Sequence, residues 1–266
     1  MTARAMRSAA RLRDLAVPIV AVALFLAAWE GAVRWWHVPP YLLPAPSLVA
    51  TTLVAHADTL LPAWWVTVRT TLEALALAVA GGVAIAALFA LSRTAERALA
   101  PFAVVLQVTP IIAIAPLIMI LTDDPPTTVL VCAWIVAFFP VLASTLVGLR
   151  SADAHLRDLF RLHRASRWQT LRYLLVPSAL PYFLAGLRVA SGLALIGAVV
   201  AEFTAGAAGR QTGLASRILE SMFRTEIPTM FAALVLVSLT GIGLYAMTTL
   251  LSRRLLGRWH DSERVG

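Results

Sequence analysis

The sequence predicts an all-α membrane protein with six transmembrane helices, and three observations carry that prediction. Of the 266 residues, 60% are hydrophobic and only 14% are charged, against about 25% charged in a soluble domain. The mean hydropathy is +0.82. The apolar residues also fall into six runs, 15–35, 71–91, 102–121, 127–149, 179–201 and 229–251. Each is close to the roughly 20 residues that a helix needs to cross a ~30 Å hydrocarbon core.

The first run follows Arg4, Arg7, Arg11 and Arg13 and ends in Trp29, Trp35 and Trp36, aromatic residues suited to a membrane interface. The basic start and Ala27-Ala28 also fit a cleaved leader, but the length of the run and its tryptophans favour a retained anchor. Segment 37–46, HVPPYLLPAP, is too proline-rich for a helix and is expected to cap the outer face as a stiff extended stretch. The third run contains Pro110 and Pro116. A span kinked by proline needs neighbours to cover its freed carbonyls, so it is expected to face the protein interior. Segment 202–228 is moderately polar, with Gly206, Gly209 and Gly213 suggesting a turn-rich start and residues 216–224 a short surface helix.

Arginine placement sets the orientation by the positive-inside rule. Arg93 and Arg97 follow the second run; Arg150, Arg157, Arg161, Arg164, Arg167 and Arg172 follow the fourth; Arg253, Arg254, Arg258 and Arg264 follow the sixth. The opposite side has Arg34, Arg210, Arg217 and Arg224, with Asp58, Asp123 and Asp124. The expected organisation is a cytoplasmic segment 1–14, a six-span domain 15–251 with a cytoplasmic loop 150–176, and a cytoplasmic tail 252–266.

Composition removes several functions. The chain has no lysine, so it cannot form a Walker A loop or a Schiff base. A single cysteine, Cys132, and five scattered histidines give no disulfide framework and no metal-ligand spacing; no catalytic residues are assigned. The net charge of +8 lies beside apolar spans, which points to membrane lipid rather than nucleic acid. An ion-coupled secondary transporter is the alternative, but buried acid–base relays and internal repeats are hardly represented here.

The loop after the fourth span carries the functional signal. Over 153–164, Leu156, Leu159, Phe160 and His163 fall on one helical face and Arg157, Arg161 and Arg164 on another. Asp153 and Arg157 have the spacing of a local ion pair, and Ser166 is an N-cap candidate for a second helix through Arg167-Trp168-Gln169. Arginines alone would serve topology and lipid contact; the apolar ridge suits docking into a soluble partner. Gln107 and Thr109, beside Pro110, and Ser191 are the polar candidates for a translocation path. Arg69 and Glu73 are spaced to pair, Arg188 is placed to snorkel, and Gly81-Gly82 and 192–197 suit close packing.

This loop resembles the EAA loop of ABC importer permeases, with similarity to the sulfonate, taurine and nitrate type. The resemblance rests on Ala165-Ser166-Arg167-Trp168-Gln169, Val176-Pro177-Ser178-Ala179-Leu180-Pro181, Ala185-Gly186-Leu187-Arg188 and the run from Leu195 to Glu202, with Pro40 to Ser47 upstream and Arg258-Trp259-His260 near the end. It implies a type I ABC importer permease fold in a bacterial inner membrane. Leu156, Asp158, Leu159, Phe160, His163, Arg164, Ala165, Ser166 and Arg167 would then couple to the transporter's ATPases. The implied partners are ABC ATPase subunits holding ATP and Mg, a second permease subunit forming a homodimer, and an extracytoplasmic solute-binding protein; this chain itself would bind no cofactor. The sequence departs from the family pattern of Glu-Ala-Ala followed, after three residues, by Gly. It has Asp158-Leu159-Phe160 and then Arg164, so Arg164 must adopt the left-handed turn that glycine permits, or the turn must differ. That departure also fits a branch importing pyrimidine or vitamin precursors.

Overall fold

The computed structural model describes residues 3–205 and 212–256, with side chains over 16–204 and 212–256. The described residues form eleven α-helices and one π-turn. Five helices are long and apolar enough to cross a membrane, and a sixth crossing is added if one sharply bent pair counts as a span.

Helix α1 (Ala3–Trp35) joins the N-terminal segment and the first run into one continuous helix. It lies at the edge of the bundle, with most of its described side chains exposed. It is held near its end by Trp29 against Phe231, 6.0 Å between ring centroids, and by Glu30, which accepts from Ser47 Oγ at 2.7 Å. Segment 37–46 is not the extended stretch expected. Leu42 N–H donates to the Pro39 carbonyl at 2.9 Å, closing a turn, because proline fixes φ for a turn as readily as for an extended chain. Pro46 then occupies the first turn of α2 (Pro46–Ala55), where its missing N–H costs nothing.

The centre of the bundle is α3 (Ala57–Leu91), α6 (Pro125–Arg150) and α9 (Val176–Ala205). At 1.5 Å per residue, α3 is about 50 Å long and outreaches the hydrocarbon core at one end. Asp124 caps α6 by accepting from Thr127 N–H at 3.0 Å, and the two Thr127 donors hold its carboxyl below the usual aspartate range. Helices α6 and α9 approach closely because small residues meet at their interface. A Cβ on Gly186 would lie 2.5 Å from Ser144 Cβ, and one on Gly148 would lie 2.8 Å from Ala179 Cα. Gly197 and Gly82 are closed in similarly by Ala133 and Val141, as small-residue packing in membranes requires. Gly192 faces open space and Gly81 makes only an ordinary contact, so close packing is confined to one glycine of each expected pair.

The third run is the main correction. It forms α4 (Arg93–Val108) and α5 (Ile111–Thr122), bent by 105°. Pro110 pushes the preceding residue out of the α region, and Thr109 accordingly has φ −74° and ψ 123°. Within this chain the span does not face the interior as expected: no residue of α4 is buried and only Ala115 of α5 is. At the break the Thr109 N–H and hydroxyl both donate to the Val105 carbonyl, at 3.2 and 2.7 Å, and Pro110, having no N–H, leaves the Leu106 carbonyl without its helical donor.

Segment 216–224 was expected at the surface. It lies instead in α10 (Leu214–Phe223), a wedge with Leu214, Ala215, Ser216, Ile218 and Ser221 buried. Its Leu214 and Ile218 join a core with Leu60, Ala63, Ala232 and Ala233, so α10 packs between α3 and the last helix, α11 (Ile227–Leu256). Gly206, Gly209, Arg210 and the terminal Arg258-Trp259-His260 and Arg264 lie outside the described residues.

Candidate functional site

Two polar assemblies lie at opposite ends of the bundle. At one end, α6 leads through Ser151 into α7 (Ala154–Leu162), then α8 (Arg167–Thr170), a π-turn (Leu171–Leu175) and α9. This is the two-helix loop expected at 150–176. Asp153 starts α7 by accepting from the N–H groups of His155 (2.7 Å) and Leu156 (3.2 Å). With its carboxylate committed to that cap, Asp153 makes no pair with Arg157, contrary to the spacing. Arg157 instead donates to the Arg150 carbonyl at 2.7 Å, fastening α7 to the end of α6.

The end of α7 resolves the question raised by Arg164. Its φ is +51°, so it adopts the left-handed turn. Ala165 N–H donates to the Phe160 carbonyl at 2.9 Å and Arg164 N–H to the Arg161 carbonyl at 3.0 Å, the paired bonds of a Schellman motif, with His163 as the last helical-side residue. Holding a non-glycine residue there costs about 1–2 kcal/mol. Replacing Arg164 by Gly keeps the motif and removes that cost, less about 0.5–1 kcal/mol for glycine's greater unfolded freedom. We expect Arg164→Gly to leave the melting temperature of the purified chain unchanged or slightly raised, and Arg164→Val, with a β-branched side chain, to lower it.

Ser166 starts α8 as expected and forms a full capping box. Its Oγ accepts from Gln169 N–H (3.2 Å), and Gln169 Oε1 accepts from Ser166 N–H (2.7 Å). The π-turn follows directly, with Val176 N–H reaching back to the Leu171 carbonyl. Pro177 has no N–H to continue an α pattern there, and the wider turn accommodates its ring.

The apolar side of α7 is uncovered. Leu156 and Leu159 are each 47% exposed and Leu162 is 81% exposed, while Phe160 is half-buried and His163 and Arg167 are exposed. Asp158 makes only an exposed pair with Arg161 at 3.3 Å. All the residues expected to couple lie on α7, the turn after it and the first residue of α8. The structure also adds Leu162, which sequence reasoning missed although it lies three residues beyond Leu159.

At the other end, the buried Glu202 of α9 organises α10. Its Oε1 accepts from Thr67 Oγ1 at 2.8 Å and its Oε2 from Ala215 N–H at 2.9 Å. The Thr67 hydroxyl also accepts from Leu214 N–H at 2.8 Å. Two otherwise orphaned N–H groups at the start of α10 are therefore satisfied by side chains from α9 and α3. A Cβ on Gly213 would lie 2.1 Å from Glu202 Oε1, so glycine is required for this approach. Beside the cluster is a cavity of about 460 Å³ bordered by Trp65, Arg69, Glu73, Thr127 and Glu202. Arg69 and Glu73 pair as expected, at 2.7 Å.

The path candidates separate. Gln107 and Thr109 both line a cavity of about 270 Å³ where α4 breaks, with Phe139 and Leu193 opposite. Ser191 is not among its walls: it is buried and its hydroxyl donates to the Arg188 carbonyl at 2.8 Å. Arg188 stacks on Tyr245, 5.5 Å from the ring centroid.

Known proteins give the context. Residues 78–257 match the family described as the binding-protein-dependent transport system inner membrane component. The chain is 36% identical to the riboflavin transport system permease protein RibX of Chloroflexus aurantiacus, over 91% of this chain and 90% of that one. It is 32% identical to the formylaminopyrimidine transport permease protein ThiX of Halalkalibacterium halodurans, over 85% and 88%. Aliphatic sulfonate and nitrate permeases are among its other relatives. A crystal structure of an amino acid ABC transporter shares the fold, with a TM-score of 0.62 at 18% identity over 77% of this chain and 97% of that one. The chain therefore belongs to the ABC importer permeases, the multi-pass inner-membrane components of binding-protein-dependent transport systems that move small solutes.

Proposed function

We propose that this chain is a permease subunit driven by ATPases bound to the α7–α8 hairpin, which moves its solute by alternating access. The observation that carries this is the uncovered apolar face of α7 at Leu156, Leu159 and Leu162, on a helix capped at both ends and fastened to α6 by Arg157. A short amphipathic helix held that firmly, with its apolar face left open by the described residues, suits a groove on a partner. ATP and Mg would reside on that partner, and both termini of this chain would share the hairpin's cytoplasmic side. A second copy of the chain would cover the apolar surface left open by the α4–α5 break, where Phe102, Val104, Val105 and Val108 are all more than half exposed. The cavity holding Gln107 and Thr109 would then border a path between the two copies, with Ser191 set back from it. An extracytoplasmic binding protein would deliver solute to the end of the bundle that carries Glu202.

For the solute, the RibX and ThiX similarities span nearly the whole chain and favour a heterocyclic vitamin or vitamin precursor over a sulfonate, taurine or nitrate. The test is co-expression with a candidate ATPase and binding protein, followed by purification and reconstitution. The ATPase is expected to co-purify, and uptake of labelled riboflavin or formylaminopyrimidine to require ATP. Uptake driven by an ion gradient without ATP would reject this function in favour of a secondary transporter.

A further inference from the structure

At the hairpin end of the bundle, a cavity of about 820 Å³ lies between the end of α3, the start of α4 and the α6–α7 junction. Four arginines border it, Arg93, Arg97, Arg150 and Arg157, with one acid, Glu96. Glu96 is already taken by Arg150, at 2.5 Å. Arg93 and Arg97 are exposed and have no acidic partner among the described residues. Arg157 spends one terminal nitrogen on the Leu149 and Arg150 carbonyls, yet its Nε is buried with no hydrogen-bond partner. A buried guanidinium nitrogen left unpaired is costly, and other atoms of the same side chain border a cavity with a net positive lining. Beneath lie Phe89 and Leu149, both almost fully buried, so the floor of the cavity is the apolar body of the bundle.

We propose that this cavity binds a phosphate-bearing anion. Guanidinium groups match phosphate oxygens bidentately, and basic pockets beside transmembrane helices suit anionic headgroups. The bound phosphate bridges Arg93 and Arg97 on α4 to Arg157 at the root of α7. It therefore braces the joint on which the hairpin stands. Binding itself does not depend on the transport reading; the effect on coupling does.

The test uses the purified full chain, with phosphatidylglycerol, phosphatidylcholine and inorganic phosphate as probes. Native mass spectrometry follows bound lipid, and equilibrium dialysis follows labelled phosphate. We expect phosphatidylglycerol to bind more tightly than phosphatidylcholine, the R93Q/R97Q double variant to bind about tenfold or more weakly, and R93K/R97K, which keeps the charge but not the bidentate geometry, to fall between the two. Phosphate binding that competes with the lipid would identify a general phosphate site, and lipid binding without it a headgroup site; both support the proposal provided the double variant loses affinity. Equal binding of the two lipids without phosphate binding, or an unaltered affinity in a folded R93Q/R97Q, would overturn it. Unchanged ATP-driven uptake in a double variant that has lost the anion would remove only the bracing role.

Discussion

Leu159→Asp is expected to insert and fold normally but to lose ATP-driven uptake. Leu159 is 47% exposed on α7 and its side chain takes no part in capping the helix, so aspartate is solvated in the isolated chain and costs it little. In a partner's groove the same change removes a leucine whose burial is worth about 1.5–3 kcal/mol and desolvates a charge. ATPase affinity should fall by about a hundredfold or more. The check is co-purification of the ATPase with wild type and variant from equal amounts of folded chain. Phe160→Asp should uncouple as well, but Phe160 is half-buried, so its effect mixes docking with damage to the hairpin. Leu159 is the cleaner probe.

Glu202→Leu is expected to destabilise the end of the bundle remote from the hairpin. It strands Ala215 N–H and removes the acceptor of the Thr67 hydroxyl, both buried. At about 1–3 kcal/mol for each buried group left unsatisfied, the loss is about 2–5 kcal/mol. It falls on α10, whose Leu214 and Ile218 fill the core beside α3 and α11. Amide hydrogen exchange over 214–223 should accelerate well before exchange in α6 and α9, and the melting temperature should drop. Glu202→Gln should be milder, because its one carbonyl oxygen can still accept a single bond. Gly213→Ala should behave like Glu202→Leu, since its Cβ displaces the same carboxylate. Unchanged exchange in α10 for both Glu202→Leu and Gly213→Ala would show that the latch does not hold the wedge.

The spans and the hairpin were legible in the sequence because each follows from local rules. Apolar runs give spans; arginines give ends; Ser166 with Gln169 gives a capping box; the positive φ of Arg164 could be anticipated from the glycine it replaces. What stayed hidden was decided by tertiary partners. Asp153 could pair with Arg157 or cap α7, and only the direction of α6 into α7 made Arg157 reach the Arg150 carbonyl instead. Pro110 could kink or break a span, and the 105° bend between α4 and α5 makes it a break. Glu202 ends an apolar run and passed for the start of a polar loop. Its partners Thr67 and Ala215 lie 135 and 13 residues away, so no spacing rule pairs them. An acid so close to a membrane span was the available signal, with Gly213 the second.

The proposed coupling requires the α7 hairpin to be the surface that the ATPases grip, and single-cysteine cross-linking tests that directly. The native Cys132 is buried, so the Leu159→Cys variant carries one accessible thiol in the described bundle. In membranes containing the assembled transporter, a short bifunctional thiol reagent should join the introduced thiol to cysteines placed along the ATPase groove. Removing the ATPase should then open the same thiol to maleimide. If Leu159→Cys reacts with maleimide equally with and without the ATPase, and gives no cross-linked product, the hairpin is not the surface the ATPases hold.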